Sequence, residues 1–176
     1  YHFRETAFLT KGLKINLYDR RSDEERDHDD YKQDVKREYH FHYEGGIKEF
    51  VQYANRTRTP LYPEIFYAEG SKDGVYVEVA FQHNDEYNET IFSFVNNINT
   101  TDGGTHLAGF KSGLTKTVNE YGRKFGLLKD GDKSLTGDDI REGIMAVINI
   151  KISEPQFEGQ TKAKLGNSEA KSAVES

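Results

Sequence analysis

The chain has 176 residues with 35% apolar content and a formal charge of −6, enough for one domain with a real core and too little for a second complete one. It contains no cysteine, which excludes disulfide frameworks, Cys-ligated zinc and thiol catalysis. The acidic balance argues against broad nonspecific DNA binding, and neither a low-complexity tract nor an apolar run long enough to span a membrane is present.

Taken from the N-terminus, Leu13-Lys14-Ile15-Asn16-Leu17-Tyr18 alternates apolar and polar residues, which predicts a strand with Leu13, Ile15 and Leu17 on one face. The run from Asp19 to Glu38 is dense in both charge signs and nearly free of large aliphatics, so it reads as a long exposed hairpin loop. A metal site from Asp23, Glu24, Asp27, His28 and Asp29 is conceivable there, but the run lacks the turn glycine and alternate-position oxygens of a calcium loop. Tyr39 to Tyr43 is the returning strand. His40 and His42 share a face of it, where a zinc pair is geometrically allowed but no third ligand is evident. Gly45-Gly46 ends this strand, and Ile47, Phe50, Val51 and Ala54 recur at helical spacing through Arg56, with Glu44 serving the turn or the helix start.

Pro60 and Pro63 bracket a connection, followed by a strand at 64–68 and a turn over Gly70 to Gly74. Val75, Val77, Val79 and Phe81 alternate against Tyr76, Glu78, Ala80 and Gln82, the clearest strand of the chain. Another runs from Glu89 to Asn97, and the polar turn at His83-Asn84-Asp85-Glu86 makes these two the expected antiparallel neighbours. Asp102-Gly103-Gly104-Thr105 opens the longest helix, with Leu107, Phe110, Leu114, Val118 and Tyr121 on one face. A Gly-rich turn feeding a helix can cradle phosphate, but this one lacks a full phosphate-loop pattern and His106 has no nucleophile nearby, so the structural reading prevails. Gly126 to Ser134 imitates a Walker loop with an aspartate, Asp132, inserted before Lys133. That carboxylate repels phosphate and no strand leads into the turn, so a nucleotide site is rejected there.

Thr136 or Asp138 can cap a short helix through Arg141, which is expected to form an ion network with Asp138, Asp139 and Glu142; Met145 to Ile152 is the last strand. After Pro155, the stretch Gln156-Phe157-Glu158-Gly159-Gln160-Thr161-Lys162-Ala163-Lys164-Leu165-Gly166-Asn167 reads as a loop from which Gln160 and Lys162 reach outward. A lysine suits a phosphate as a point charge and a glutamine adds a neutral amide donor. Ser168 to Ser176 reads as the start of an exposed helix. The element order is α+β, with helices on one face of a mainly antiparallel sheet and, by pattern alone, a right-handed crossover.

The Gln160-Thr161-Lys162 stretch resembles the QTK loop of the ATPase subunits of type IIA topoisomerases. Five further segments match the same family in order and at similar spacing: Arg4 to Leu13, Tyr43 to Ile47, Ser93 to Thr100, Asp102 to His106 and Leu135 to Gly143. Together they resemble the transducer segment of the DNA gyrase B kind, favoured over topoisomerase IV by the run Phe41 to Val51. The resemblance implies a fold of the ribosomal-protein-S-five domain-2 type with a left-handed crossover. It further implies that residues 1–12 end a preceding ATP-binding domain, 13–167 form the transducer and 168–176 link to a following cleavage domain. In that family Gln160 and Lys162 would contact the γ-phosphate of ATP, with Lys162 the catalytic contributor, while ATP and Mg2+ are bound mainly outside this chain. No residue here resembles the family's water-activating glutamate, magnesium-binding asparagine or ATP lid, so the chain alone is expected to be inactive.

The partners so implied are DNA, the A subunit of gyrase and a second copy of the B subunit. Paired transducers of the family line a cavity that passes DNA, for which Arg56, Arg58, Lys111 and Lys116 are candidate basic positions. A stand-alone nucleic-acid-binding module of the same fold type is the rival reading, disfavoured by the acidic charge. Glycosylation sequons at Asn55, Asn88 and Asn99 follow no signal peptide, so the expected location is cytoplasmic. Tyr1 does not look like a natural start, and the chain is expected to be a piece of a longer one.

Overall fold

The computed structural model describes residues 2–21 and 37–176. The charged run expected as an exposed loop, with its metal candidates Asp23, Glu24, Asp27, His28 and Asp29, lies outside the described residues except at its ends. The chain opens with α1 (His2–Leu9) and a two-stranded antiparallel ribbon, β1 (Lys14–Tyr18) and β2 (Glu38–His42), as the alternating patterns predict. Then come α2 (Ile47–Ala54), β3 (Phe66–Lys72), β4 (Val75–His83), β5 (Thr90–Val95), β6 (Ile98–Asn99), α3 (Thr105–Lys124), α4 (Gly137–Arg141), β7 (Ile144–Lys151) and α5 (Ser168–Glu175).

The main sheet has the order β3-β4-β7-β5-β6, antiparallel throughout except for the parallel pair β5 and β7. The expected hairpin between β4 and β5 does not form, because β7 lies between them. Its residues Ile144 to Ile150 are all buried, as suits a strand with a neighbour on each edge and a layer of helices on each face. Alternate residues divide the sheet into two cores. Ile144, Ala146, Ile148 and Ile150 pack with Val75, Val77, Phe110, Leu165 and Ala170, while Met145 and Val147 pack with Phe8, Ile47, Phe50, Val51 and Phe94. Thus α3 and α5 cover one face and α1 and α2 the other. The α+β class and the mainly antiparallel sheet are observed; the expectation of helices on one face alone is corrected to helices on both.

Two turns differ from the sequence reading. β3 continues through Gly70 to Lys72, and the connection to β4 is the two-residue turn Asp73-Gly74, both at positive φ (52° and 76°), a geometry that suits the twist of the paired strands. Asn96 and Asn97, at φ 49° and 65°, form a second two-residue turn that ends β5 early and folds β6 back on it.

The face of α3 is rotated from the expected one. Phe110 is buried and Leu107 and Leu114 pack on the core, but Tyr121 is exposed, and the tightest face runs through His106, Gly109, Phe110 and Gly113. α5, expected to be exposed, lies against that face with Ala170 and Ala173 buried. The glycines permit the approach: a Cβ on Gly109 would stand 2.5 Å from the Lys171 carbonyl oxygen, and one on Gly113 would stand 3.1 Å from the Glu175 Cα.

Candidate functional site

The segment carrying Gln160 and Lys162 is a short antiparallel loop whose base is bonded to the head of α3. Phe157 bridges Leu165, the Glu158 amide donates to the Lys164 carbonyl at 2.8 Å, and the Gly166 amide donates to the Gln156 carbonyl at 2.8 Å. Gly159 at φ 83° and Lys162 at φ 54° turn the chain at the apex. Gln160, Thr161 and Lys162 are all exposed there, as the sequence predicts. The two lysines of the loop differ in their surroundings. Lys164 pairs with Glu158 at 3.0 Å across the loop, whereas the Lys162 ammonium has no ion pair among the described residues.

The base of this loop is held at three points. Leu165 is fully buried in the α3-facing core. Asn167, 2% exposed, accepts from the Gln156 amide at 2.6 Å and donates to the Glu154 carbonyl at 3.1 Å and the Glu169 carboxylate at 2.7 Å, the last bond holding the Glu169 carboxyl below its ordinary range. The third point is the turn at the head of α3. The Asp102 amide donates to the Ala163 carbonyl at 2.9 Å, the Leu165 amide to the Gly103 carbonyl at 3.1 Å and the Thr105 amide to the Leu165 carbonyl at 3.0 Å. The Thr105 amide at the head of α3 is thereby occupied by protein, which supports the structural reading of the Gly-rich turn over a phosphate cradle.

His106 is fully buried just inside this helix. Thr100 Oγ1 donates to the Ser93 carbonyl at 2.8 Å, which leaves its lone pair to accept from His106 Nε2 at 3.0 Å. Burial pushes the imidazole down to about 4, so it is neutral at pH 7. With no route to solvent, it is a core histidine tying α3 to β5 through Thr100.

The remaining sequence candidates fall elsewhere. His40 binds Asn16 at 2.8 Å and His42 pairs with Glu44 at 2.6 Å; no cluster of three potential metal ligands occurs among the described residues. Thr136 caps α4 in a reciprocal box with Asp139, so Asp139 is not in the ion network expected around Arg141. Arg141 joins Asp138 at 2.9 Å, as expected, and also Glu89 at 2.7 Å, and Lys111 pairs with the other oxygen of Glu89. Burial works against the Glu89 carboxylate, but the two cations outweigh it and hold its pKa below the ordinary range. Glu89 is 52 residues from Arg141, a separation no local pattern reveals. Of the basic candidates, Arg56 lies 3.8 Å from the Tyr53 ring centroid and Arg58 pairs with Glu86 at 2.8 Å, both lining a cavity of about 500 Å³. Lys116 lines another of about 420 Å³ with Lys72 and Lys171. The Walker-like stretch is a turn in which Asp132 accepts from the Lys129 amide at 2.7 Å.

The model of the family described as DNA gyrase B matches residues 46–176. The DNA gyrase B subunit of Clostridium acetobutylicum is 55% identical over 174 residues, 98% of this chain and 25% of the relative; the Halalkalibacterium halodurans protein of the same name is 53% identical over 98% and 25%. The B subunit of DNA topoisomerase 4 from Staphylococcus epidermidis is 53% identical over 98% of this chain and 24% of its own length. The chain therefore spans about a quarter of the length of these three relatives. Among solved structures, the 43K ATPase domain of Thermus thermophilus gyrase B, crystallised with an aminocoumarin, superposes with a TM-score of 0.82 at 38% identity, covering 99% of this chain and 43% of that one. The topoisomerase IV ATP-binding domain of Francisella tularensis superposes with a TM-score of 0.69 at 27% identity, covering 99% and 44%.

Proposed function

Since this chain belongs to the DNA gyrase B family, and so is related to the ATPase subunits of type IIA topoisomerases, we propose that it is the transducer of such a protein. In this reading it couples nucleotide state in an adjacent ATP-binding domain to closure of the DNA gate, strand passage and supercoiling. The observation that carries it is the loop apex, where Gln160 and Lys162 are exposed, Lys162 without an ion pair among the described residues, beside a Lys164 paired with Glu158. An exposed ammonium and an amide on a braced loop fit the oxygens of a terminal phosphate presented by another domain. Bound ATP with Mg2+ supplies the phosphoryl group that is transferred to water. Lys162 binds and offsets charge on the γ-phosphate oxygens, and Gln160 orients the same group through a neutral hydrogen bond. On this reading Mg2+ is held in the adjacent domain.

The partners on this reading are DNA, the A subunit of gyrase and a second copy of the B subunit, in the cytoplasm. In the complete protein, Lys162→Ala lowers turnover roughly a hundredfold, the effect of losing one preorganised donor, while nucleotide affinity changes little. Turnover of the variant equal to wild type would remove this function from the loop. The near-equal identity to a topoisomerase 4 protein supports a second reading, the equivalent domain of that enzyme. Assembled with the A subunit, ATP-dependent introduction of supercoils into relaxed plasmid is the outcome for gyrase; its absence in an ATP-hydrolysing complex favours the second reading.

A further inference from the structure

The Gly103–Gly104 turn is bonded to the residues that follow the loop apex. Gly104 bridges Leu165 in parallel, and a Cβ on Gly104 would come within 2.5 Å of the Leu165 backbone nitrogen. Both glycines have positive φ, 71° and 136°, so a side chain at Gly104 is disfavoured by its backbone as well as by the space around it. The hydrogen bonds of Asp102, Leu165 and Thr105 fix this turn to residues 163–165, directly beyond Lys162. On its other side the turn is fixed to the sheet. The Gly103 amide donates to the Thr100 carbonyl at 2.9 Å, and Thr100 is held by Ser93 on β5 and by His106 on α3. An unbroken line of backbone and side-chain bonds thus runs from β5, through the head of α3, to the base of the loop.

We propose that the Gly103–Gly104 turn is the seat that sets the height and direction of Gln160 and Lys162, with Gly104 a positioning residue acting through Leu165. This rests on the reading of the loop as a phosphate contact. A displacement of α3 along its axis moves Leu165, and with it the apex, so the seat is also where a shift of the longest helix is passed to the nucleotide. Gly159, at φ 83° with nothing within 4 Å of its added Cβ, forms the other corner of the same device. Gly126, at φ 71° and equally open, lies in the remote turn after α3 and offers a matched control for backbone strain.

The test uses the complete protein, with turnover and equilibrium binding of a non-hydrolysable ATP analogue measured for Gly104→Ala, Gly159→Ala, Gly126→Ala, Lys162→Ala and the combined Gly104→Ala/Lys162→Ala variant. A misplacement on the scale of an ångström at a reacting group costs roughly ten- to a hundredfold in rate. Gly104→Ala and Gly159→Ala are therefore expected to lose turnover on that scale while analogue affinity stays within about twofold. Gly126→Ala keeps wild-type turnover. The combined variant falls below Lys162→Ala by no more than the smaller loss expected of Gln160→Ala, far short of the product of the two single losses, because a displaced lysine and a missing one cost the same contact. Wild-type turnover in Lys162→Ala overturns the phosphate-contact reading and the seat with it. A large loss at Lys162, with no loss at Gly104 and Gly159 or with losses that multiply in the combined variant, overturns the seat alone. If Gly104→Ala fails to fold, Gly103→Ala, at φ 71° and with only the Leu107 side chain against its added Cβ, takes its place with the same expected loss and the same overturning results.

Discussion

Lys162 and Lys164 carry the same charge two residues apart, so the difference between them is a matter of surroundings. Lys164 is paired with Glu158 at 3.0 Å and braces the loop, while Lys162 is unpaired at its apex among the described residues. In the complete protein, Lys164→Ala should lower turnover far less than Lys162→Ala, and Gln160→Ala should fall between them, since it removes a neutral hydrogen bond worth about 1 kcal/mol rather than a charge. Equal, small losses at Lys162 and Lys164 in a steady-state phosphate-release assay would mark the loop as a surface turn. His106 permits a test independent of nucleotide. Its folded pKa is depressed to about 4 from 6.5, so the unfolded chain takes up a proton first as the pH falls. The stability it contributes is intact above pH 6.5 and is lost between 6.5 and about 4, by up to about 3 kcal/mol. Urea unfolding at a series of pH values should show this slope in the wild type and a shallower one in His106→Gln. Parallel slopes would mean that His106 is not held neutral by the fold.

Among the elements, α3 makes the closest approaches. Its Gly109 and Gly113 let α5 sit backbone to backbone, and a branched side chain at Gly109 has nowhere to go because the Lys171 carbonyl oxygen crowds its Cβ position. Gly109→Val should therefore destabilise the chain by roughly 1–3 kcal/mol, the range for overpacking, read as a lowered urea midpoint. A wild-type midpoint would mean that α5 yields easily and is the exposed link its sequence suggests. At the other side of α3, Glu89 joins Lys111 on α3 to Arg141 on α4. Its carboxylate is about one-third exposed, so Glu89→Gln should cost only about 1 kcal/mol, most at low salt. No change in the unfolding midpoint between low and high salt would mean that this triad is bound by packing rather than charge.

Taken as one body, the protein has two cores that share a central strand, and together they bury both terminal helices, α1 through Phe8 and Leu9 and α5 through Ala170 and Ala173. The isolated chain is expected to fold by itself as a monomer and to release no phosphate from ATP, because on the proposed reading the nucleotide its loop reaches is bound by an adjacent domain. Phosphate release above a buffer blank by carefully purified protein would contradict this, and sedimentation checks the monomer.

Elements whose cause is local could be read directly from the chain. Alternation marked β1, β2 and β4, helical spacing marked α2, the Thr136 cap marked α4, and the Gln-Thr-Lys stretch between turn residues marked the loop together with its outward side chains. The Asp73-Gly74 and Asn96-Asn97 turns were also legible, since both are residue types that tolerate positive φ, and reading them would have corrected β3 and disclosed β6. Folding alone settled what depends on distant partners: β7 between β4 and β5, Glu89 as the partner of Arg141, helices on both faces of the sheet, and α5 packed on α3. Local pattern records a residue's preference for burial but not which surface buries it. A nearly all-apolar strand such as Ile144–Lys151 is satisfied by any two covering layers, and only the closing of the whole chain chooses them.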